Sequence, residues 1–304
     1  MRLFALTFAI TTYNRFEFLV EAMNRVLSAR QADEEIVVVD GGSIDGTVEY
    51  LQKLRAEGRI DVFLSEPDRG QGHGINKAIL LSSGELIKPI NDDDLYDFAA
   101  IAEARRYMQA RPNIDVLCST VHVVDWEPTP HLIAHRIVAD ASLFPRRDRS
   151  FPFGDIGMML RRSSLSLLGL FSPEIAWIDY EFSMRVTSTR ATIACMDRTT
   201  GLRLTNDTSK SLRFWRQLEE ERARINAYYL RPYKPGSVID RLRGVKARCL
   251  SRYRNALRAK PDPNASFVSS RCPPAAEAFK IGENLLASVR QQEPAHTFRM
   301  SVRE

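Results

Sequence analysis

The chain has 304 residues, with 43 lysines and arginines against 38 aspartates and glutamates, a net charge of +5. A hydrophobic fraction of 44% is ample for a core and excludes a disordered chain, and 15 glycines and 15 prolines are too few for a collagen-like or low-complexity one. No apolar run reaches the roughly 18 residues of a membrane-spanning helix.

Residues 3–11 read as a first buried strand rather than a signal peptide, because the apolar stretch is short and runs into a polar turn with no small-residue cleavage site. Residues 16–29 place Phe18, Leu19, Ala22, Met23, Val26 and Leu27 at helical spacing. The β-branched run at 35–39 predicts a second buried strand, and 46–56 a second helix. A strand at 61–65, a helix near 73–83, a strand at 85–90, a helix at about 96–110 and a strand at 114–119 continue the alternation. Strands and helices taking turns at this spacing imply βαβ units and a mostly parallel sheet covered on both faces. Residues 120–150 predict loops and a strand pair, 157–170 a helix, 179–189 a helix at least at their start, and 211–229 a longer helix. After residue 231 the composition shifts. Residues 241–260 hold many lysines and arginines and no acid, 261–275 read as a linker, and 275–290 as a last helix. Cys118, Cys195, Cys249 and Cys272 are scattered along the chain, with no pair at zinc-site or redox spacing, which agrees with a cytoplasmic protein.

The acidic residues fall where the strands end. In an open parallel sheet, ligands bind beyond the carboxyl ends of the strands. Four such ends are legible: Thr11-Thr12-Tyr13-Asn14-Arg15, Asp40-Gly41-Gly42-Ser43, Ser65-Glu66-Pro67-Asp68-Arg69-Gly70 and Asn91-Asp92-Asp93-Asp94. Polar groups at four successive ends converge on one crevice. Three adjacent carboxylates repel one another unless a cation or donors balance them, and a divalent cation does this well. The bland reading of the same triplet is capping of the helix that begins near Tyr96. The 40–47 stretch lacks the glycine-lysine-hydroxyl ending of a P-loop and the glycine spacing of a dinucleotide fingerprint. Its glycines suit a tight turn, with Ser43 or Asp45 capping the next helix.

Together these segments resemble the family 2 glycosyltransferases of the GT-A fold. The ordered set is TTYNR at 11–15, VVVDGGSIDGT at 37–47, SEPDRGQGHGINKAI at 65–79, SSGELIKPINDDDLY at 82–96 and GLFSPEIAWIDYEFSMR at 169–185. The wording is most similar to the branch that builds bacterial surface polysaccharides and glycolipids. The resemblance implies a Rossmann-like α/β sheet sandwiched by helices over residues 1–210. Its nucleotide-sugar half would end near 119 and its acceptor half would run over 120–210, with a helical, basic extension over 211–304. It implies that Thr11, Tyr13, Asn14 and Asp40 line the nucleotide pocket and that Asp68 and Lys77 lie near the donor. By the family's register Asp93 is the leading ligand of a divalent metal, Mg²⁺ or Mn²⁺. Asp92 would touch ribose or metal, and Asp94 would complete the site. Asp179 matches the general base of an inverting transfer from a nucleotide-diphosphate sugar to a hydroxyl of a glycan or lipid-linked acceptor. Its bland reading is an N-cap beside an exposed Glu181, and Glu181 and then Glu174 are its understudies as base.

The sequence departs from that pattern in three places. His73 and Gly74 stand where the branch more often has Asp-Ala, Gly41 where many relatives have a second acid, and Asp155 where they often carry histidine or glutamine. The basic segment 241–260 reads as an amphipathic helix for an anionic membrane surface, which places the protein on the inner face of the cell membrane; a solvated helix packed on the catalytic domain is the alternative. No module accompanies the charge that would make nucleic acid a partner. Phe214, Trp215, Tyr228 and Tyr229 read as core rather than a sugar platform. A catalytically silent sugar-nucleotide-binding relative is the other functional reading. A nucleotidyltransferase would need a glycine-rich basic loop where TTYNRFE stands.

Overall fold

The computed structural model describes residues 4–127, 129–135, 150–206, 214–229, 272–293 and 298–301. The basic segment 241–260 lies outside the described residues, and so does the 261–271 part of the expected linker.

The first two-fifths of the chain alternates as its periodicity predicts. Strand β1 (Leu6–Thr12) leads through α1 (Phe16–Ala29) to β2 (Glu34–Asp40), then through α2 (Thr47–Ala56) to β3 (Val62–Ser65), and through α3 (Gln71–Leu81) to β4 (Leu86–Asn91). The four strands are parallel and lie in the order β4-β1-β2-β3. Successive side chains of a strand point to opposite faces, so both faces are apolar. Phe8, Ile10, Ile36 and Val38 meet Leu19, Met23 and Val26 of α1 and Leu51 and Leu54 of α2 on one side. Ala9, Val37 and Val39 meet Ile75, Ala78 and Ile79 of α3 on the other.

A short β5 (Asp94–Tyr96) precedes α4 (Phe98–Gln109), which packs Ile101, Ala104 and Met108 on the same side as α1. The cap of α4 is Asp97, whose Oδ1 accepts the Ala100 amide at 3.0 Å, and not one of the three preceding aspartates. The sheet continues through a long β6 (Val116–Asp125), hairpinned to β7 (His131–His135), and through β8 (Met158–Arg161). The helix expected over 157–170 is therefore a strand at its start, followed by one short helix, α5 (Leu165–Leu168). A four-residue buried run such as MMLR has no period that separates strand from helix.

Helix α6 (Ile178–Val186) follows, and then β9 (Ile193–Leu204), a twelve-residue strand parallel to β6. Helix α7 (Trp215–Tyr229) leans on α6, while α8 (Ala275–Gln292) and β10 (Phe298–Ser301) return to the main body. Phe279 and Leu286 of α8 join Leu95, Leu202 and Leu204 in a third core cluster, and β10 pairs antiparallel with β9. The full order is β10-β9-β6-β8-β4-β1-β2-β3, with β5 also paired to β9. Among the described residues no helix is long and apolar enough to cross a membrane. Cys118 and Cys195, distant in sequence, face each other across β6 and β9 with sulfurs 2.8 Å apart.

Candidate active site

The carboxyl ends of β1, β4 and β9, the loop after β3 and the front of α6 open on one cavity of about 450 Å³. That volume suits a small-molecule or nucleotide ligand. Thr11, Tyr13, Asp68, Asp92, Asp93, Asp94 and Asp179 all line it. Asn14, Asp40 and Lys77 do not line it; they build the walls.

Asp40, fully buried, ends β2 and organises the following turn. Its Oδ2 accepts the amides of Gly42 and Ser43, both at 3.0 Å, and the Ser65 hydroxyl at 2.6 Å. Asn14 sits at φ 49°, a left-handed conformation that asparagine tolerates better than most residues. Its amide donates to Ser43 Oγ at 2.7 Å and its Oδ1 accepts the Ile44 amide at 2.9 Å, so it ties the first loop to the second. Asp45 accepts the Phe16 and Thr47 amides and thus serves the starts of both α1 and α2. Lys77 pairs with Glu66 at 2.8 Å and donates to the Pro67 carbonyl, bracing the loop that carries Asp68. His73 braces it too, its Nδ1 accepting the Arg69 amide at 3.2 Å.

Asp68 stands in a slot made by two glycines. A Cβ on Gly74 would lie 2.9 Å from Asp68 Oδ2, and one on Gly41 would lie 3.0 Å from it. Oδ1 accepts the Gly70 amide at 2.7 Å, which fixes the carboxylate against the cavity. Tyr13 beside it is 58% exposed, an open ring face at the mouth.

The three aspartates after β4 divide their tasks. Asp94 is committed to the protein: Oδ1 accepts the Leu204 amide at 3.2 Å and Oδ2 accepts Asn91 Nδ2 at 3.0 Å. Asp92 and Asp93 share one cation, because Arg15 Nη1 lies 3.1 Å from Asp92 Oδ1 and 2.6 Å from Asp93 Oδ2. Asn206 adds a 2.9 Å bond to Asp93. Asp92 Oδ2 is buried without a hydrogen-bond partner. Burial pushes Asp92 up to about 6; Arg15 opposes the rise and the neighbouring Asp93 adds to it. Burial and Asp93 also raise Asp94 well above its ordinary range. Among the described residues no three His, Cys, Asp or Glu side chains converge as a ready-made metal cage. The pair nevertheless fits a hard divalent cation that takes one or two carboxylates and fills its shell from water and phosphate, and the orphaned Asp92 oxygen is the kind of donor it would use.

Asp179 lies in the first turn of α6 and lines the same cavity, with Oδ1 accepting the Tyr180 amide. Burial, and then the nearby Asp155, push its carboxyl up to about 7, while Arg203 pulls the other way. Asp155 is held in place by Asn91, which donates to its Oδ2 at 3.2 Å. Lys88, buried in β4, donates to the carbonyl of Ile156 at 2.6 Å and so pins the same turn. Glu181 is not the exposed neighbour expected: it is buried, salt-bridged to Arg185 at 2.9 Å, and accepts the Tyr229 hydroxyl. That leaves Asp179 as the carboxylate of this helix that faces the cavity. Of the aromatics expected in the core, Phe214 and Tyr228 are exposed.

Sequence reasoning passed over Arg15, although TTYNR contained it, and Arg203, because β9 was not foreseen. It also missed Glu221 of α7, whose buried carboxylate accepts the amides of Ala176 and Trp177 at 3.2 and 2.9 Å.

A family model described as glycosyl transferase family 2 matches residues 7–167. An uncharacterized glycosyltransferase of Nostoc sp. is 30% identical over 88 residues, 29% of this chain and 27% of that protein. The poly-beta-1,6-N-acetyl-D-glucosamine synthase of Staphylococcus aureus is 24% identical over 92 residues, 30% of this chain and 22% of that one. The match thus spans about a quarter of the length of these relatives. Among solved structures, S. aureus TarS 1-349 in complex with UDP-GlcNAc superposes with a TM-score of 0.52 at 19% identity, over 67% of this chain and 60% of that one. The mannosyltransferase PcManGT of Pyrobaculum calidifontis, in complex with GDP-Man and Mn²⁺, gives 0.51 at 16% identity, over 95% and 76%. Both likenesses concern the fold.

Proposed function

The chain belongs to glycosyl transferase family 2, and on that premise we propose that it is a metal-dependent, inverting enzyme that moves a sugar from a nucleoside-diphosphate donor to a hydroxyl of a glycan or lipid-linked acceptor in surface-polysaccharide or glycolipid synthesis. The observation that carries the reading is the pairing, in one cavity, of an acidic pair at the end of β4 with a half-buried carboxylate on α6 whose proton affinity is tuned to about 7.

Tyr13 and Asp68 face the part of the cavity where the nucleoside would lie, the ring offering a stacking surface and Asp68 Oδ2 an acceptor for a base or ribose donor. Asp93 and Asp92 would hold the divalent cation, with Asp94 bracing the strand behind them. When bound, that cation neutralises charge on the diphosphate leaving group. Asp179 accepts the proton of the acceptor hydroxyl as its oxygen attacks the anomeric carbon and the bond from that carbon to the diphosphate breaks. A base poised near pH 7 is matched to this task, since a substantial fraction is ionised at neutrality and it is still basic enough to take the proton. One carboxylate on the attacking face, with no second one acting as nucleophile, gives inversion.

The test is calorimetric titration with UDP, GDP and dTDP, each with and without Mn²⁺. Metal-dependent binding of one nucleotide is expected. Asp179→Asn should retain that binding and lose transfer, whereas Asp93→Asn should lose the metal dependence. Failure of a folded protein to bind any of the three would favour a catalytically silent relative.

A further inference from the structure

The salt bridge of Arg15 occupies the carboxylates that the metal would use. The turn after β1 fixes the position of this residue, because Asn14 is locked to Ser43 and Ile44 on the neighbouring loop. One guanidinium nitrogen then spans Asp92 and Asp93 at 3.1 and 2.6 Å. The contact is mostly out of water, with side-chain exposures of 19% for Arg15, 5% for Asp92 and 12% for Asp93. Such a bridge is needed in the metal-free protein, since two adjacent buried carboxylates repel each other and leaving them uncompensated is strongly unfavourable. A divalent cation on the same pair would lie against the guanidinium, like charge on like, in a setting where screening is weak.

We propose that Arg15 is an internal counter-ion that competes with the divalent cation for Asp92 and Asp93, so that metal binds tightly only when the nucleoside diphosphate offers Arg15 another anion. Arg15 lines the same cavity as the proposed donor site, within reach of an incoming diphosphate. Metal and nucleotide then each raise the other's affinity, and the bridge supplies a share of that reciprocal coupling. The device rests on the metal-dependent reading above and adds to it an order of events: neither ligand is held firmly alone.

The experiment titrates MnCl₂ by calorimetry into the full chain as wild type, Arg15→Gln, Arg15→Lys and Asp93→Asn. Each titration is run without nucleotide and at saturation with whichever of UDP or GDP binds. Wild type should bind Mn²⁺ weakly alone and at least about tenfold more tightly with nucleotide, the size expected when a partly buried charge-assisted contact is exchanged. Arg15→Gln should bind Mn²⁺ alone about tenfold more tightly than wild type and gain less from nucleotide. Arg15→Lys keeps the charge but reaches less far than the single guanidinium nitrogen that spans the pair, so it should fall between the two, and it serves if the glutamine variant does not fold. Asp93→Asn should abolish the heat in every case. If Arg15→Gln, or Arg15→Lys in its place, binds Mn²⁺ alone no more tightly than wild type while nucleotide still strengthens wild-type binding, the counter-ion proposal fails and the metal reading stands. If wild type binds nucleotide but takes up no Mn²⁺ in either condition, the metal reading fails and the proposal falls with it.

Discussion

At Asp68 two missing side chains matter as much as the one present. The carboxylate reaches the cavity only because Gly41 and Gly74 leave room on either side, and the Gly70 amide holds its inner oxygen. Gly74→Ala puts a methyl group 2.9 Å from Oδ2 and must turn the carboxylate. The atom displaced is the end of a side chain, so stability should change by less than about 1 kcal/mol by thermal melt. Nucleotide affinity should instead fall about tenfold by calorimetry, the effect of losing one well-placed polar contact. This level of the site was only partly legible in advance. Strand-end residues such as Thr11, Asp92 and Asp93 were found because parallel sheets put their ligands there. Asn14 and Asp40, from the same strand ends, and Lys77, from within α3, spend their polar atoms on bracing loops. Which way a polar side chain turns depends on partners distant in sequence, and a linear pattern does not carry that.

Elements with a clean period were legible for the same physical reason that they are stable. Helix α1 was read with its observed bounds because its apolar residues follow one face, which buries Leu19, Ala22, Met23 and Val26. Strand β9 escaped notice because its centre is Asp197-Arg198-Thr199-Thr200-Gly201, and its register against β6 shifts twice near Thr120. A bulge breaks the alternation that marks a strand. The cost of missing β9 was Arg203, and with it the balance of charge around Asp179. The link between α7 and α6 was equally hidden, since no local pattern announces that Glu221 satisfies the amides before another helix. Glu221→Ala would leave two backbone donors unsatisfied and should lower stability by about 1–3 kcal/mol. Glu221→Gln keeps one acceptor oxygen and should recover part of the loss. Chemical denaturation of the three proteins checks this, and equal midpoints would mean that α7 does not hold the front of α6.

Taken over the whole molecule, the site works against the stability of the fold that carries it. Asp179 ordinarily titrates at 3.8 and is raised here to about 7. A carboxyl raised in the folded state binds more protons folded than unfolded between those two values, so its contribution to stability is present below about pH 4 and is lost as pH rises through about 7. Lys88 acts in the next window. Burial lowers it from 10.5 to about 7, and between those values the unfolded chain binds more protons, so this contribution grows as pH rises. Near neutrality both groups are therefore at their least favourable. Asp179→Asn isolates the first. The amide keeps an oxygen for the Tyr180 bond but has no charge to desolvate. In metal-free protein its melting temperature should match wild type near pH 4 and rise above it by pH 7 to 8, by an amount corresponding to about 2 kcal/mol for a half-buried group. The same substitution should abolish transfer, and wild-type transfer should fall on the acid side of about pH 7, where Asp179 takes up its proton. The melting difference and the acid limb of the rate thus report one titration by two routes. A variant that lost transfer without gaining stability toward neutral pH would show that the carboxylate is not desolvated as its setting in the cavity requires. Coincidence of the two midpoints would mean that the burial which destabilises the fold is the same burial that makes Asp179 a base at neutral pH.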